Sequence, residues 1–151
     1  MGSLNSNHAV LPVRIVVVED IESDVRLLRL ALQELGEEAV VEVLKDGEEA
    51  LQFVHDHRTF VRQPDPCVIV LDLHLPKYDG IAVLRAIRQE PLMAHIRVVV
   101  LTTSCSPQEE LEVRRMGVRL YRRKPSNLDE FIEVAREILS ICKEHAFGVA
   151  V

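Results

Sequence analysis

The chain has 151 residues, 48% of them hydrophobic, which suits one well-filled core in a single domain. Its formal net charge of −6 argues against a surface built mainly for nucleic acid or anionic membrane. No stretch approaches the roughly 20 apolar residues of a transmembrane helix. The three cysteines are far apart and form no CxxC pair, which indicates free thiols in a reducing compartment. We therefore expect a cytoplasmic protein.

Short β-branched runs alternate with amphipathic stretches along the chain. The runs predict strands at residues 13–18, 39–44, 67–71, 97–101 and 118–121. Apolar residues three and four apart predict helices that begin near Ser23, Asp46, Ile81, Ser106 and Asn127. Residues 56–66 contain two prolines and no clear period, so we expect a loop there.

Two of these helices have clear signals at their first residues. Asp46 is placed as an N-cap and is followed by acids, which the helix dipole favours. Ser106 is placed as the N-cap of the fourth helix, with Pro107 at its first position and Glu109 completing a capping box. The alternation of strands and helices predicts an α/β fold, a parallel sheet covered by helices on both faces.

Polar residues follow four of the five predicted strands. Glu19 and Asp20 follow the first strand, Asp72 the third, Thr102 the fourth and Lys124 the fifth. In an open parallel sheet the ligand site lies beyond the carboxyl ends of the strands, so these side chains should meet. Clustered carboxylates are best held together by a divalent cation, and Mg²⁺ suits such a set. A carboxylate such as Asp72 can be a phosphoryl-accepting nucleophile, with the lysine and the hydroxyl binding phosphoryl oxygens.

These motifs resemble those of the receiver domains of two-component response regulators, and are close in pattern to the single-domain chemotaxis regulator. The matching pieces are "VVVED", "VLDLHLPKYDG", "VVVLTTS" and "YRRKPS", in that order. The resemblance covers about residues 13–143, between a flexible N-terminus at 1–12 and a C-terminal tail at 144–151. It implies a flavodoxin-like doubly wound sheet of five strands in the order 2-1-3-4-5, with five helices.

The resemblance also implies a role for each matching position. Asp72 resembles the phosphoacceptor, and with Glu19 and Asp20 it resembles the metal-binding set. His74 resembles the residue whose backbone carbonyl completes that Mg²⁺ site.

The remaining matching positions resemble the parts that respond to phosphorylation. Thr102 resembles the switch hydroxyl, Lys124 the phosphate-binding lysine and Tyr121 the aromatic switch. In the family the peptide bond between this lysine and the next residue, here Pro125, is usually cis. The two arginines between Tyr121 and Lys124 depart from the family, which usually has apolar residues there, and this puts the packing of the tyrosine in doubt.

The function that the resemblance implies is that of a stand-alone response regulator. It accepts a phosphoryl group from a sensor histidine kinase, promotes its own Mg²⁺-dependent phosphotransfer and dephosphorylation, and acts through protein contacts. The "VEDIESDVRLLRLAL" opening and the tail resemble small regulators paired with bacterial phytochrome kinases, many of which are dimers. Apolar residues in the tail suggest an arm exchanged with a second copy.

Two other functions compete with this one. A receiver-like interaction module could keep the fold without accepting phosphate, although the complete set of site residues speaks against it. A phosphatase with an aspartate nucleophile would need another acid two positions after Asp72, where this chain has His74.

Overall fold

The computed structural model describes residues 12–59, 65–103 and 105–147. The predicted flexible N-terminus, apart from Pro12, and the end of the predicted exchanged arm, residues 148–151, lie outside the described residues, as does part of the loop before the third strand. Within the described ranges, five strands alternate with five helices. The strands are β1 (Val13–Val18), β2 (Ala39–Leu44), β3 (Val68–Leu71), β4 (Val98–Thr102) and β5 (Leu120–Arg123). The helices are α1 (Glu22–Glu34), α2 (Gly47–Thr59), α3 (Gly80–Gln89), α4 (Pro107–Arg115) and α5 (Leu128–Phe147).

The strands form one parallel sheet in the order β2-β1-β3-β4-β5, which confirms the predicted topology. Successive residues of β1 face opposite sides of the sheet. Ile15 and Val17 pack with residues of α1 and α5, whereas Val16 and Val18 pack with residues of α2, α3 and α4. Both faces of the sheet are therefore buried, which explains why its three inner strands are apolar apart from Arg14 and Thr102.

Both predicted N-caps are present, but the capping box of α4 is altered. Asp46 Oδ1 accepts a hydrogen bond from Glu49 N at 2.8 Å, and Ser106 Oγ accepts one from Glu109 N at 3.4 Å. The Glu109 carboxylate does not close the box on Ser106. The Tyr121 hydroxyl lies between them, accepting from Ser106 N and donating to Glu109 Oε1, both at 3.4 Å.

The prediction that all three cysteines are free is wrong. Cys67 and Cys142 form a disulfide with a Cα–Cα distance of 5.2 Å, although 75 residues separate them along the chain. Cys67 directly precedes β3, and α5 runs back along the sheet until Cys142 lies beside the start of that strand. Cys105 is free and exposed. The inference of a reducing compartment from cysteine spacing therefore loses its support.

The remaining differences from the sequence predictions concern one peptide bond and the bounds of two elements. No cis peptide bond occurs in the described residues, so the bond between Lys124 and Pro125 has the trans form, the default for X–Pro. Strand β5 lies two residues further along the chain than predicted, because its backbone pairing with β4 continues through the two arginines. Helix α5 continues to Phe147, beyond residue 143, where the sequence placed the end of the domain. No helix in the described ranges is both long enough and apolar enough to cross a membrane.

Candidate functional site at the carboxyl ends of the strands

The register of the central strands brings two acids side by side. Val18 is paired with Leu71, so the next residues, Glu19 and Asp72, are neighbours across β1 and β3. The backbone N of Asp72 donates to Val18 O at 3.1 Å. Because β2 and β3 flank β1, the strand order reverses here, and a crevice forms at such a point.

Thr102 and Lys124 reach the same rim from the next two strands. Thr102 is the last residue of β4 and is paired with Arg123, the last residue of β5. Lys124 follows directly, and its backbone N donates to Thr102 O at 2.7 Å. Thr102 is fully buried. Parallel pairing alone therefore delivers a hydroxyl and an ammonium to the edge that carries the acids.

Lys124 is the centre of a buried ionic network. Its Nζ lies 2.6 Å from Glu19 Oε2, 3.1 Å from Asp72 Oδ2 and 3.1 Å from Asp24 Oδ2. The side chains of Lys124, Glu19 and Asp72 are only 5%, 7% and 4% exposed, so little water screens these charges. One ammonium therefore faces three carboxylates.

The excess of negative charge shows in the protonation of Glu19. Burial raises the pKa of Glu19 to about 7, and the nearby Asp72 charge also raises it, although hydrogen bonds from Lys124 and from Ile21 N act in the opposite direction. Burial lowers the pKa of Lys124, but its hydrogen bonds and charge interactions with these acids outweigh burial and raise that pKa above its ordinary value. The lysine stays charged, and Glu19 readily holds a proton unless another cation takes its place.

Three acids of the rim form a candidate metal site. Glu19, Asp20 and Asp72 each offer a carboxylate oxygen, and these oxygens lie within 4.8 Å of one another. Asp20 is exposed, whereas the other two are buried, so the cluster opens to solvent on one side. A set of carboxylates with an open side fits a hard divalent cation that keeps several of its waters. The residues present therefore fit the group that the sequence predicts.

The turn after Asp72 is fixed by close backbone packing. Gly80 N donates to Leu73 O at 2.9 Å, and a Cβ on Gly80 would lie 2.4 Å from the Asp72 carbonyl oxygen. Gly47, the first residue of α2, donates from its N to Pro76 O at 3.2 Å. Lys77 adopts a positive φ of 71°, which is uncommon for a residue with a side chain. This tight turn directs the chain into α3 and leaves the Asp72 carboxylate at the rim.

Tyr121 is packed inward although charged residues follow it. The residue is 6% exposed, and its hydroxyl contacts Ser106 and Glu109 at the start of α4. Arg122 and Arg123 are exposed on the edge strand β5, and Arg122 pairs with Glu137 on α5. The doubt that the two arginines raised about this tyrosine is therefore resolved, because an edge strand tolerates charges on its open side.

Comparison with known proteins identifies the family. Residues 15–136 match the model of the response regulator receiver domain. The chain belongs to the receiver-domain family. Among its relatives, response regulator Rcp1 of Synechocystis sp. is 35% identical over 133 residues, which cover 88% of this chain and 90% of Rcp1.

Solved structures of receiver domains agree with this assignment. The Mn²⁺-bound form of Rcp1 is 31% identical with a TM-score of 0.73, and the match covers 93% of this chain and 98% of that one. The phosphorylated cyanobacterial phytochrome response regulator RcpA is 30% identical with a TM-score of 0.76, over the same shares. The protein is therefore a two-component response regulator, and its relatives imply a histidine kinase as partner and a divalent metal at the acidic cluster.

The receiver domain brings most of its predicted site residues into one network. Glu19, Asp72 and Lys124 are in direct contact, and Asp20 lies beside them. His74 has an exposed side chain, and its backbone N donates to Asp72 Oδ1 at 3.0 Å. That hydrogen bond, together with the one from Lys124 to Oδ2, orients both oxygens of the Asp72 carboxylate.

The sequence analysis missed Asp24, which contacts Lys124 from the first turn of α1. Unlike the predicted site residues, Asp24 does not closely follow a strand; it stands four positions beyond Asp20. A signal existed, because the first turn of a helix that follows β1 must lie near the rim, and an acid in that turn can face the site.

Proposed function

We propose that Asp72 accepts a phosphoryl group from a sensor histidine kinase and that the protein thereby changes its contacts with other proteins. The observation that carries this proposal is the setting of Asp72. Its carboxylate lies 3.1 Å from the Lys124 ammonium and within 4.8 Å of the carboxylate oxygens of Glu19 and Asp20. A nucleophilic oxygen, a fixed cation and a metal-binding set at one point are what phosphoryl transfer to a carboxylate requires.

In this proposal the metal is Mg²⁺, held by Glu19, Asp20, Asp72 and the backbone carbonyl of His74. When bound, it neutralises charge on the carboxylates and on the phosphoryl oxygens. An Asp72 oxygen attacks phosphorus, the bond from phosphorus to the donor's imidazole nitrogen breaks, and the imidazole takes a proton as it leaves. The Lys124 ammonium binds a phosphoryl oxygen. Water attacking the same phosphorus returns Asp72 and phosphate, so the chain promotes its own dephosphorylation.

Thr102 and Tyr121 are the proposed relay to the outer surface. The Thr102 hydroxyl moves to bind a phosphoryl oxygen, and the Tyr121 ring follows into the space it leaves. Support comes from the position of the Tyr121 hydroxyl, which joins two residues at the start of α4. A shift of this side chain would therefore move the first turn of α4 and change the surface beside β5.

The narrower proposals concern partners and boundaries. Because RcpA is a phytochrome response regulator, we take the cognate kinase to be a bacteriophytochrome. We take the receiver domain to span residues 13–143 in a cytoplasmic protein, with the last four residues of α5 counted in the tail. That tail pairs two copies as an exchanged arm, giving a homodimer. Deleting residues 146–151 should convert the dimer to a monomer in sedimentation velocity; an unchanged dimer would refute the arm.

Intact mass spectrometry tests phosphorylation at Asp72. After incubation with Mg²⁺ and acetyl phosphate, the wild-type chain should gain one phosphoryl group, and Asp72→Asn or added EDTA should abolish the gain. Asp79→Asn is the matched control, since Asp79 caps α3 through Ala82 N and asparagine caps helices equally well. If neither acetyl phosphate nor a partner kinase labels the wild-type chain, the phosphate-independent interaction module is the correct function.

A further inference from the structure

Asp24 is one of three carboxylates that share the Lys124 ammonium. Its Oδ2 lies 3.1 Å from Lys124 Nζ, and its side chain is 19% exposed. Glu19 and Asp72 are the other two partners. Because an ammonium has three N–H donors, each carboxylate can accept one of them.

Asp24 differs from the other two partners in its relation to the candidate metal site. Glu19 and Asp72 belong to the cluster that can hold a cation together with Asp20, and Asp24 does not. Within the described part of the chain, it is therefore the one ion-pair partner of Lys124 that a bound cation does not engage.

Mg²⁺ and the Lys124 ammonium consequently draw on the same two carboxylates. Both are positive and share these two acids, so a bound cation and the ammonium would repel each other and compete for Glu19 and Asp72. If those two acids were the only anchors, cation binding would push the ammonium away from Asp72. Phosphoryl transfer needs both charges in place at once.

We propose that Asp24 is a positioning residue that holds Lys124 at the phosphoryl site while Glu19 and Asp72 bind the cation. The inference rests on the proposed function, from which it takes the identity of the cation. Asp24 acts only through Lys124 and contacts neither the metal nor the phosphoryl group. Its position suits this role, because only three residues lie between β1 and α1, and the Asp24 carboxylate in the first turn of α1 faces the lysine.

The competing explanation is that Asp24 only stabilises α1. Acids in the first turn of a helix interact favourably with its dipole whatever else they contact. Glu22 lies in the same turn, is exposed, and is not among the ion-pair partners of Lys124. Glu22→Gln therefore removes the same charge from the same turn and is the matched control for Asp24→Asn.

The test is a double-mutant cycle on the affinity of the full chain for Mg²⁺ alone, measured by isothermal titration calorimetry. Asp24→Asn should raise the Kd about tenfold, the size of one charge-assisted hydrogen bond. Glu22→Gln should change it less than about twofold. In a Lys124→Met background, Asp24→Asn should also change the Kd less than about twofold, because no ammonium remains to be held. An equal loss in both backgrounds would mean that Asp24 acts by charge alone and would overturn the proposal.

A second variant needs no change at Lys124. Asp24→Glu keeps a carboxylate within reach of the ammonium, so its Kd should stay within about threefold of the wild-type value. A loss as large as that of Asp24→Asn would also overturn the proposal. At saturating Mg²⁺, Asp24→Asn should slow labelling by acetyl phosphate about tenfold, because the lysine is misplaced.

The two proposals fail in different ways. Mg²⁺ affinity is measured without a phosphodonor. A wild-type chain that gains no phosphoryl group therefore contradicts the proposed function, but the double-mutant cycle on Mg²⁺ affinity can still be interpreted. Conversely, normal labelling at Asp72 with no coupling between Asp24 and Lys124 contradicts only the positioning role.

Discussion

The two rims of the sheet are held by different kinds of interaction. At the carboxyl ends of the strands, Lys124 lies among three carboxylates that carry more negative charge than it can balance. At the amino ends, a disulfide joins the start of β3 to α5, and Arg97 Nη1 donates to the carbonyl oxygen of Ile141 at 2.8 Å. One rim can respond to a cation, a proton or a phosphoryl group, whereas the other is fixed.

Arg88 shows how the fixed rim is built. Among the described residues, its guanidinium donates to four backbone carbonyl oxygens, those of Met116, Ala94, Ile96 and Gly117, at 2.7, 3.2, 2.7 and 3.3 Å. These bonds tie the end of α3 to the turn before β4 and to the end of α4. Carbonyl oxygens cannot gain or lose a proton near neutral pH, so these four contacts do not change with the protonation events of the carboxyl rim. Both rims contribute to stability, but the acids and the lysine of the carboxyl rim can also bind a cation, a proton or a phosphoryl group.

The largest effect is expected from removing the ammonium at the carboxyl rim. Lys124→Met leaves Glu19, Asp24 and Asp72 close together without a countercharge. The free energy of unfolding at pH 8 should fall by about 3–5 kcal/mol, the usual cost of breaking a buried ion pair. Millimolar Mg²⁺ should restore part of it, because the cation binds only the folded acids. Urea unfolding with and without Mg²⁺ measures both the loss of stability and its partial recovery.

A lysine outside the buried network provides the control. Lys77 pairs with Asp46 and Glu48, but its side chain is 56% exposed, so Lys77→Met should cost far less and should not respond to Mg²⁺. If the two substitutions cost the same, the buried network is not what stabilises the carboxyl rim.

The next largest effect is expected at the amino rim. Reducing the bond between Cys67 and Cys142 should lower the free energy of unfolding by about 2–4 kcal/mol, as expected for a disulfide that closes a long loop. Urea unfolding with and without dithiothreitol measures this, and Cys105→Ser should not change the difference. Mg²⁺ affinity should be the same in both redox states. A change in that affinity would show that the two rims are coupled, and would contradict the view that the carboxyl rim responds independently of the amino rim.

The topology of the fold decides how much of each rim can be predicted from the sequence. Glu19, Asp72 and Lys124 directly follow strands, so parallel pairing was enough to predict that they meet. Cys67 and Cys142 meet because a helix of 20 residues returns along the sheet and passes one particular strand. Amphipathic spacing predicts that α5 has a buried face, but it does not predict which strand lies beneath Cys142.

Residues on helices and edges were harder to predict for a related reason. Asp24 contacts Lys124 through the direction of the first turn of α1, which depends on how that helix leaves β1. The end of β5 was misplaced because Arg122 and Arg123 interrupt the apolar pattern, while backbone pairing with β4 continues through them. In both cases the deciding interaction is three-dimensional, and hydrophobic spacing along the chain does not record it.

The third prediction concerns pH at the carboxyl rim. The pKa of Glu19 is about 7 in the folded protein, compared with 4.5 for an ordinary glutamate. Between these values the folded, metal-free chain holds a proton that the unfolded chain has released, so the free energy of unfolding should fall as pH rises through this window. Mg²⁺ must displace the same proton, so its affinity should rise with pH by at most about tenfold per unit and level off above 7.

Calorimetric titration with Mg²⁺ from pH 5.5 to 8.5 measures this dependence. Glu19→Gln should bind Mg²⁺ more weakly but lose the rise between pH 6 and 7, because the group that releases the proton is gone. Asp72 and Lys124 are the charged groups that face Glu19, and the pKa of Lys124 is raised, so the ammonium does not lose its proton in this range. A wild-type affinity that is flat between pH 6 and 7 would contradict the assignment of the proton to Glu19.

The smallest effect is expected for a polar cluster at the amino rim. Its two hydrogen bonds involve one buried and one exposed histidine, so it tests whether burial makes a hydrogen bond contribute more to stability. Asp65 accepts hydrogen bonds from His57 Nε2 at 2.9 Å and from His95 Nε2 at 2.7 Å. The side chain of His57 is 7% exposed and that of His95 is 62% exposed. Asp65→Ala leaves the buried imidazole without this acceptor and should cost about 1–2 kcal/mol in urea unfolding. His95→Ala leaves the pair of Asp65 and His57 in place and should cost less than about 0.5 kcal/mol. Neither change should alter labelling at Asp72, since the cluster lies at the other end of the strands.

Equal costs of the two substitutions would mean that burial of His57 does not set the strength of its hydrogen bond. Altered labelling would mean that the amino rim also takes part in the response.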